Sequence, residues 1–295
     1  MTWPIDCVQH AERLANHTSF RIGGPAEWFA EPSSLEELQA LLREASGRGM
    51  PVSVMGGGTN LLVADEGLRG LTIHLGRAFR LVDVTSDADD PTALVQCGAG
   101  LFTQHLVMLA GRHGWGELEA LAGLPGQVGG AVVMNAQQIG RFVECVTLVT
   151  FDGTVKHVRG EQIQFAYRYT ALEPGILVGV LFRFPKVTPE EAAERIRQVL
   201  RNRNTTQDLQ LPSAGCAFKN PSGTSAGRLI DQAGLKGSRI GDARVSLRHA
   251  NFIVNLGQAT CDDVLALMEH VQRGVAREFG VWLEPEVRLL GARWK

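Results

Sequence analysis

The chain is predicted to be an α+β protein built from a β-rich front and a rear in which helices and strands alternate. Strand patterns dominate as far as Pro185, and helical patterns with capping signals follow it. Two glycine-rich segments, 55–62 and 122–135, both lie in the front part. A chain of 295 residues is long enough for two domains with a well-buried core. We therefore predict one region over residues 1–190 and a C-terminal domain over residues 200–295.

Composition limits the classes of function that fit the chain. The hydrophobic fraction is 44%, the charged fraction is 20% and the net charge is −2, which is typical of a globular protein without a basic surface for nucleic acid. No apolar run reaches the roughly 18 residues of a membrane span, and the N-terminus lacks the basic start and apolar stretch of a signal peptide. We therefore expect a cytoplasmic protein with no nucleic-acid or membrane partner, and the composition predicts no oligomeric state.

The cysteines favour reduced thiols and no metal site. The chain has five of them, an odd number, and no two show the C-x-x-C spacing of a zinc or iron–sulfur site. They stand at positions 7, 97, 145, 216 and 261. All except Cys216 are expected to pack as small apolar residues.

The front part begins with an amphipathic helix and continues with strands. Ser34 is a predicted N-cap, and Glu37 follows it at the spacing of a capping box. Residues 51–55 form a predicted strand that leads into the first glycine-rich segment. Asp152 and Gly153 form a hairpin turn signal. The other strands of this part are predicted at 71–74, 81–84, 93–97, 146–151, 155–158 and 176–184, with a helix over 102–113.

The rear part contains three predicted helices. Thr188 is a predicted N-cap, and the proline after it suits the first helical position because the N–H there has no partner within a helix. A second helix is predicted over 225–235, and a third begins at Thr260. The third helix carries an apolar stripe at positions 264, 265, 268, 271 and 275, and strands are predicted at 252–256 and 287–290.

The two glycine-rich segments suggest a bound dinucleotide. Glycine has no Cβ, so residues 56–60 and 123–130 can turn sharply and present main-chain N–H groups to an anion. Two such loops in one region suggest a ligand held along its length, whereas a pair of tight turns without a ligand is the alternative interpretation. The spacing is not that of the G-x-G-x-x-G motif, so a Rossmann nicotinamide domain is not supported.

Eight sequence blocks occur in an order that resembles one enzyme family. They lie at 16–24, 56–62, 122–130, 167–168, 215–221, 226–237, 249–251 and 283–288. The series resembles the UDP-N-acetylenolpyruvoylglucosamine reductase (MurB) family over nearly the whole chain, and the modest length looks like its shorter, type II form. A single glycine loop is weak evidence, but eight ordered blocks are specific.

The resemblance implies a fold, a reaction and a cofactor site. The implied fold is a vanillyl-alcohol-oxidase-type (PCMH-like) FAD-binding domain followed by a substrate domain. The implied reaction uses NADPH and FAD to reduce the enolpyruvyl ether of UDP-N-acetylglucosamine to UDP-N-acetylmuramate in peptidoglycan precursor synthesis. The FAD is expected to be noncovalent, since no histidine or cysteine lies within 55–62. The implied FAD-binding residues are Gly56, Gly57, Gly58, Thr59, Asn60, Leu61, Gly123, Pro125, Gly126, Gly129 and Gly130.

Arg168 and Glu286 are the charged residues implied to act in catalysis. Hydride addition to an enol ether that is conjugated to a carboxylate builds enolate-like charge, which needs a fixed cation or proton donor. An arginine fork binds a carboxylate bidentately, although a surface ion pair at a strand end would also explain Arg168. The resemblance selects Glu286 rather than Glu284, with the proline between them fixing where they point. Arg288 either orients Glu286 or only pairs with it.

Cys216 departs from the family pattern. The family usually has serine here, where it gives a proton to the carbon that bears the ether oxygen, but this chain reads Gly-Cys-Ala-Phe-Lys-Asn-Pro. A thiol also serves, because its reference pKa of about 8.5 leaves it mostly protonated at neutral pH. The alternative is that Cys216 is a small buried filler and that another group or water donates.

The resemblance also implies contacts to the UDP-sugar. Lysine and arginine suit a diphosphate, and Arg228 is a further candidate. The implied substrate-binding residues are Tyr167, Arg203, Lys219, Asn220 and Asn251. Two other functions remain open. One is a sugar or alcohol oxidase of the same FAD fold, and the other is a flavin- or UDP-sugar-binding regulator without turnover.

Overall fold

The structure, a computed structural model, describes Trp3 and residues 5–85, 90–206 and 211–291. Its α-helices are α1 (Leu35–Gly47), α2 (Thr103–His113), α3 (Val128–Val133), α4 (Pro189–Thr206), α5 (Ala226–Gln232) and α6 (Cys261–Phe279). Its strands are β1 (Val8–Arg13), β2 (Pro25–Ala30), β3 (Val52–Met55), β4 (Leu61–Val63), β5 (Leu68–His74), β6 (Val82–Thr85), β7 (Thr92–Gly98), β8 (Val143–Thr150), β9 (Val155–Arg159), β10 (Phe165–Ala166), β11 (Tyr169–Thr170), β12 (Gly175–Pro185), β13 (Ser213–Cys216), β14 (Arg239–Ile240), β15 (Ala243–Val245), β16 (Phe252–Asn255) and β17 (Arg288–Leu290).

The described residues form two compact units that alternate along the chain. Unit 1 takes the described residues of 1–9, 28–57 and 70–203, and unit 2 takes those of 10–27, 58–69 and 204–295. The units therefore do not coincide with the linear division at residues 190–200, since two early segments belong with the C-terminal part. Local periodicity predicts elements but not such long-range association. The division into an FAD region and a substrate domain stays a prediction.

Unit 1 contains an antiparallel five-stranded sheet in the order β6-β7-β12-β8-β9. Its central strand β12 pairs with β7 on one side and β8 on the other, and its apolar run is mostly buried. Residues 152–153 form the predicted turn between β8 and β9, with Gly153 at φ +85°. The strand predictions for this part are confirmed, with end points that differ by a few residues.

Helix α1 confirms the predicted N-cap but only half of the capping box. Ser34 Oγ accepts a hydrogen bond from Glu37 N at 3.2 Å. The Glu37 carboxylate accepts from Ser33 N at 2.7 Å instead of from the N-cap residue itself. The helix buries Leu38, Leu41, Leu42 and Ala45 in the core of unit 1.

Unit 2 contains an antiparallel sheet in the order β13-β16-β15-β14 and a parallel pair, β4 with β17. Helix α6 starts at the predicted place, where Thr260 is its N-cap and Asp263 completes a capping box. The predicted apolar stripe of α6 is buried at Val264, Leu265, Met268, Val271 and Val275. The core of this unit therefore lies between α6 and the sheet side that it covers, and it includes Phe20 and Leu62 from the early segments.

Several elements were not predicted, and one corrects the sequence interpretation. Helix α3 begins within the second glycine-rich segment, so Gly129 and Gly130 are helical and not part of a loop. A Cβ on Gly129 would lie 2.9 Å from Ala99 Cβ, so close packing overrides the low helix propensity of glycine. The strands that were not predicted include β1 and β2, with six residues each, and β10 and β14, with two residues each.

No helix among the described residues is long and apolar enough to cross a membrane. Within the same residues, histidine, cysteine and carboxylate side chains form no group of three or more that could hold a metal ion.

Candidate functional site

The first glycine-rich segment begins in unit 1 and ends in unit 2. Gly56 and Gly57 follow β3 in unit 1, whereas Gly58 and the residues up to Leu61 belong to unit 2. In unit 1, a Cβ on Gly56 would lie 2.7 Å from Gln127 Oε1. Gln127 lies in the second glycine-rich segment, so the structure brings the two segments together there.

Gln127 is a polar residue that sequence analysis missed. Its side chain is 4% exposed, and its Nε2 donates to Leu75 O at 3.2 Å. Its Oε1 faces Gly56 and has no hydrogen-bond partner among the described residues. A buried acceptor without a partner costs about 1–3 kcal/mol. The available signal was that Gln127 is the only polar residue within 122–130.

The second glycine-rich segment is held in place before any ligand arrives. Gln104 Oε1 accepts from Gly123 N at 2.9 Å, and Gln104 Nε2 donates to Leu124 O at 2.6 Å. Gly123 and Gly126 have φ of +78° and +112°, which favour glycine. Pro125 lies between them. The main chain of this segment is therefore preorganised.

The residues present fit the predicted flavin dinucleotide on two counts. The unpartnered Gln127 Oε1 can accept from a hydroxyl or N–H group of such a ligand. A Cβ on Gly130 would meet no atom within 4 Å, so protein packing does not require glycine there. Close approach of a ligand would require it.

Arg203 supports the second glycine-rich segment. It lies in the last turn of α4 and belongs to unit 1. Its Nη2 donates to Ala120 O at 2.8 Å, and its Cδ lies 3.1 Å from the position of a Cβ on Gly123. The predicted contact of Arg203 with the substrate stays a prediction, and the observed contacts are with the main chain of unit 1.

Tyr167 and Arg168 form the two-residue turn between β10 and β11. Arg168 has φ of +57°, a left-handed conformation that is uncommon for residues other than glycine. Its guanidinium carbon lies 5.4 Å from the centre of the Tyr167 ring. Tyr167 is 56% exposed and Arg168 is half-buried. Strain of this kind clusters at functional sites.

The Arg168 turn is tied to α3. Thr170 Oγ1 donates to Val132 O at 2.6 Å, and Asn135 Nδ2 donates to Ala166 O at 2.9 Å. Asn135 is itself left-handed, with φ of +43°. Because α3 begins in the second glycine-rich segment, the structure brings Arg168 and that segment into one part of unit 1.

In unit 2, Cys216 ends strand β13 at an irregular position. It pairs with Phe252, and the register shifts between Ser213 and Cys216. Gly215 has φ of +76° within this shift. Cys216 is half-buried, whereas Cys97 and Cys261 are buried. As a residue, Cys216 is thus more exposed than those two.

The backbone of Glu286 pairs with the segment that follows Cys216. Glu286 N donates to Ala217 O at 2.8 Å, and Phe218 forms a bridge with Pro285. Asn60 Nδ2 donates to Glu286 O at 3.2 Å. The structure therefore brings together the predicted residues Asn60, Cys216 and Glu286 within unit 2.

Gly58 shapes the end of the first glycine-rich segment in unit 2. It has φ of +62°, and a Cβ there would lie 2.0 Å from His17 O. Only glycine fits this position without movement of the backbone. Thr59 and Asn60 follow it directly, and Arg288 N donates to Asn60 O at 2.9 Å.

Two other predicted substrate-binding residues, Lys219 and Asn220, interact with groups of the protein itself. Lys219 Nζ lies 2.5 Å from Glu284 Oε1, whose side chain is 70% exposed. Asn220 Oδ1 accepts from Ala226 N at 3.0 Å, at the start of α5. Their predicted contact with the UDP-sugar stays a prediction.

The side chain of Asn251 forms hydrogen bonds within the protein that the sequence did not indicate. It is 2% exposed. Its Oδ1 accepts from Phe218 N at 3.0 Å, and its Nδ2 donates to Phe218 O at 2.7 Å. Both atoms of the amide are therefore bonded to the main chain close to Cys216.

Comparison with family models matches both parts of the chain. A model described as UDP-N-acetylenolpyruvoylglucosamine reductase, C-terminal domain, matches residues 207–290. A model described as FAD binding domain matches residues 26–159.

Similar proteins cover nearly the whole chain. UDP-N-acetylenolpyruvoylglucosamine reductase 2 of Symbiobacterium thermophilum is 44% identical over 290 residues, which is 96% of this chain and 92% of that protein. UDP-N-acetylenolpyruvoylglucosamine reductase of Geobacter metallireducens is 41% identical over 286 residues, which is 95% of this chain and 93% of that protein. The crystal structure of the enzyme from Thermus caldophilus matches with a TM-score of 0.79 at 40% identity, over 96% of this chain and 98% of the other.

Proposed function

Because the chain belongs to the UDP-N-acetylenolpyruvoylglucosamine reductase family, we propose that it reduces UDP-N-acetylenolpyruvoylglucosamine to UDP-N-acetylmuramate. The 44% identity to a reductase over 96% of the chain carries this proposal. The enzyme uses noncovalent FAD as cofactor and NADPH as reductant. It acts in the cytoplasm in peptidoglycan precursor synthesis, and so in cell-wall biogenesis, cell shape and cell division.

The glycine-rich segments hold the cofactor in this proposal. Residues 56–61 and 123–130 present main-chain N–H groups to the pyrophosphate and line the flavin. The preorganised main chain at Gly123 and the unpartnered Gln127 Oε1 support this assignment. When bound, the flavin supplies hydride transfer from NADPH to the methylene carbon of the enolpyruvyl group.

Arg168 binds the carboxylate of the enolpyruvyl group. The hydride turns the methylene carbon into a methyl group, and the electron pair of the carbon–carbon double bond moves towards the carboxylate. A guanidinium fork offers two parallel N–H donors to that developing charge. The left-handed φ of +57° at Arg168 supports the role, because a strained conformation persists only where the surroundings enforce it.

Cys216 and Glu286 complete the addition. The Cys216 thiol gives its proton to the carbon that bears the ether oxygen, and the resulting thiolate regains a proton from solvent. Glu286 shares the developing carboxylate charge through a proton held between the two groups. The hydrogen bond of 2.8 Å from Glu286 N to Ala217 O supports a joint role, since it ties Glu286 to the residue after Cys216.

The UDP part of the substrate is bound by polar and basic residues. Lys219, Arg203 and Arg228 suit the diphosphate, and Tyr167 and Asn220 contribute to the substrate site. In this proposal the FAD region covers residues 1–190, and the substrate domain covers residues 200–295.

Anaerobic stopped-flow absorbance tests the function. The purified flavoprotein is reduced with NADPH, the enolpyruvyl substrate is added without oxygen, and return of the oxidised flavin band is followed. The reductase is expected to regain the band on substrate addition alone. An oxidase would regain it only with oxygen, and a regulator without turnover would not regain it on substrate addition. Either result would overturn the proposal.

A further inference from the structure

We propose that Asn251 is a positioning residue for Cys216, acting through the backbone that follows the thiol and not by touching the substrate. The inference rests on the proposed role of Cys216 as proton donor. It replaces the substrate contact implied for Asn251 by the family resemblance, because both polar atoms of the amide are used inside the protein.

Asn251 makes three hydrogen bonds to the two residues after Cys216. Its Oδ1 and Nδ2 bond Phe218 N and Phe218 O at 3.0 and 2.7 Å. Its main-chain oxygen accepts from Ala217 N at 2.8 Å. Asn251 is 2% exposed, so water does not replace these bonds easily. One residue thus fixes both Ala217 and Phe218.

Strand β13 needs such support because its own ladder is interrupted. Ser213 pairs with Val254 and Cys216 with Phe252, so three steps along β13 oppose two along β16. Such a bulge leaves residues unpaired and bends the strand. Cys216 is the last residue of this bulge. The side-chain amide of Asn251 makes its two bonds to Phe218, two residues further along the chain. The position of its sulfur therefore depends on Asn251.

Asn255 provides a matched control on the same stretch of chain. It is also 2% exposed, and it ends strand β16. Its Nδ2 donates to Phe20 O at 3.1 Å, and its Oδ1 accepts from Gly257 N at 2.7 Å and from Ala259 N at 3.0 Å. Both side-chain amides are buried and bonded to main chain, but the bonds of Asn255 do not involve residues 216–218.

Asn251→Asp and Asn255→Asp are the variants to compare. When ionised, the carboxylate introduced by Asn251→Asp sets an acceptor against Phe218 O, so Cys216 shifts and kcat is expected to fall about 10- to 100-fold. Burial beside a carbonyl oxygen raises the pKa of that carboxyl, so kcat relative to the parent protein should recover in part as pH falls and the carboxyl takes up a proton and donates again. Flavin content and flavin reduction by NADPH should stay unchanged. Asn255→Asp should leave kcat within about threefold of the parent protein.

A readout that does not depend on turnover is the alkylation rate of Cys216 by iodoacetamide, measured by peptide mass spectrometry across pH. Asn251→Asp should change this rate by at least about threefold, and Asn255→Asp should not. Equal losses of kcat in the two variants, or an unchanged alkylation rate in Asn251→Asp, would overturn the inference. Should Asn251→Asp not fold, Asn251→Ser removes the same pair of bonds to Phe218 and is tested in the same way.

Cys216→Ala separates this inference from the proposed function. Full turnover by Cys216→Ala would show that the thiol is not the donor and would remove the catalytic meaning of its position. The alkylation rates would then still decide whether Asn251 sets the environment of the thiol. Loss of turnover in Cys216→Ala together with the expected Asn251→Asp results supports both.

Discussion

At the scale of single residues, Gln127 of the second glycine-rich segment faces Gly56 of the first, and its Oε1 has no hydrogen-bond partner among the described residues. Gln127→Met keeps the length of the side chain but removes both the acceptor and the Nε2 donor that bonds Leu75 O. We expect FAD affinity to fall about 3- to 10-fold, the equivalent of one ordinary hydrogen bond of roughly 1 kcal/mol. The measurement is fluorescence titration of the apoprotein with FAD, together with thermal unfolding of the apoprotein.

Gln39→Met is the matched control for that experiment. Gln39 also lies in unit 1, and its Nε2 donates to Gly153 O at 2.7 Å, away from both glycine-rich segments. It should leave the FAD dissociation constant unchanged. An unchanged constant in Gln127→Met as well would mean that the orphan oxygen does not serve the cofactor.

Cys97 should make the free energy of unfolding of unit 1 fall as pH rises in the alkaline range. Burial raises the pKa of its thiol to about 12. An unfolded thiol ionises near pH 8.5, so the folded state keeps the proton over a range in which the unfolded state releases it. The raised folded pKa means that this stabilisation is complete below about pH 8.5 and is lost as pH rises towards about 12. The loss is about 1.4 kcal/mol per pH unit.

Between about pH 9 and 11, the free energy of unfolding should fall less steeply with pH in Cys97→Ala than in the parent protein. The difference in slope should equal the loss per pH unit that Cys97 contributes. Urea unfolding across this range measures the slope. Cys145 is half-buried in β8, so Cys145→Ala is the control for removal of a less buried thiol. Equal slopes for Cys97→Ala and the parent protein would contradict the assignment.

At the scale of elements, the β10–β11 hairpin holds Arg168 in a conformation that suits glycine better. Arg168→Ala and Arg168→Gly both remove the guanidinium, but only Arg168→Gly also relieves the left-handed strain. Both variants should bind flavin and be reduced by NADPH, while reoxidation by the enolpyruvyl substrate should fall by at least about 100-fold. Arg168→Gly should unfold with about 1 kcal/mol more free energy than Arg168→Ala. Stopped-flow absorbance and chemical unfolding give the two quantities.

The pair of variants separates chemistry from backbone strain. Retained oxidation of the reduced flavin by substrate in both variants would remove Arg168 from the catalytic proposal. Equal stabilities would mean that the turn relaxes when the side chain is shortened.

Capping signals show which features of an element could be predicted from the sequence. Thr260 and Asp263 are close in the chain, and the sequence predicted the start of a helix at Thr260, where the structure has the N-cap of α6. Asp65 also accepts from Cys261 N at 2.9 Å, at the first residue of α6. No local pattern reveals that bond, because it joins residues that are far apart in sequence. Hydrogen bonds between residues that are close in the sequence can therefore be predicted from it, whereas those between distant residues can be seen only in the folded structure.

At the scale of the whole molecule, the same limit applies to the candidate site. The sequence pattern identified the glycine-rich segments, and the family resemblance selected Arg168, Cys216 and Glu286 for chemical roles. Neither the sequence pattern nor the resemblance indicated that Gln127 faces Gly56 or that Asn251 bonds Phe218, because these contacts depend on strand register and packing. The β4–β17 pair is a further example, since it joins Leu61 to Arg288 across most of the chain.

Turnover of the complete enzyme provides the test of the proton donor. A thiol that donates a proton loses activity once it ionises, so kcat should fall at alkaline pH. Cys216→Ser replaces it with a hydroxyl, which is a weaker acid, and should move that fall to higher pH. Steady-state kcat with saturating NADPH and substrate across pH measures the shift, with Cys145→Ser as a variant that should leave the profile unchanged. An unmoved alkaline limb in Cys216→Ser would assign the limb to another group and favour the view that Cys216 only fills space.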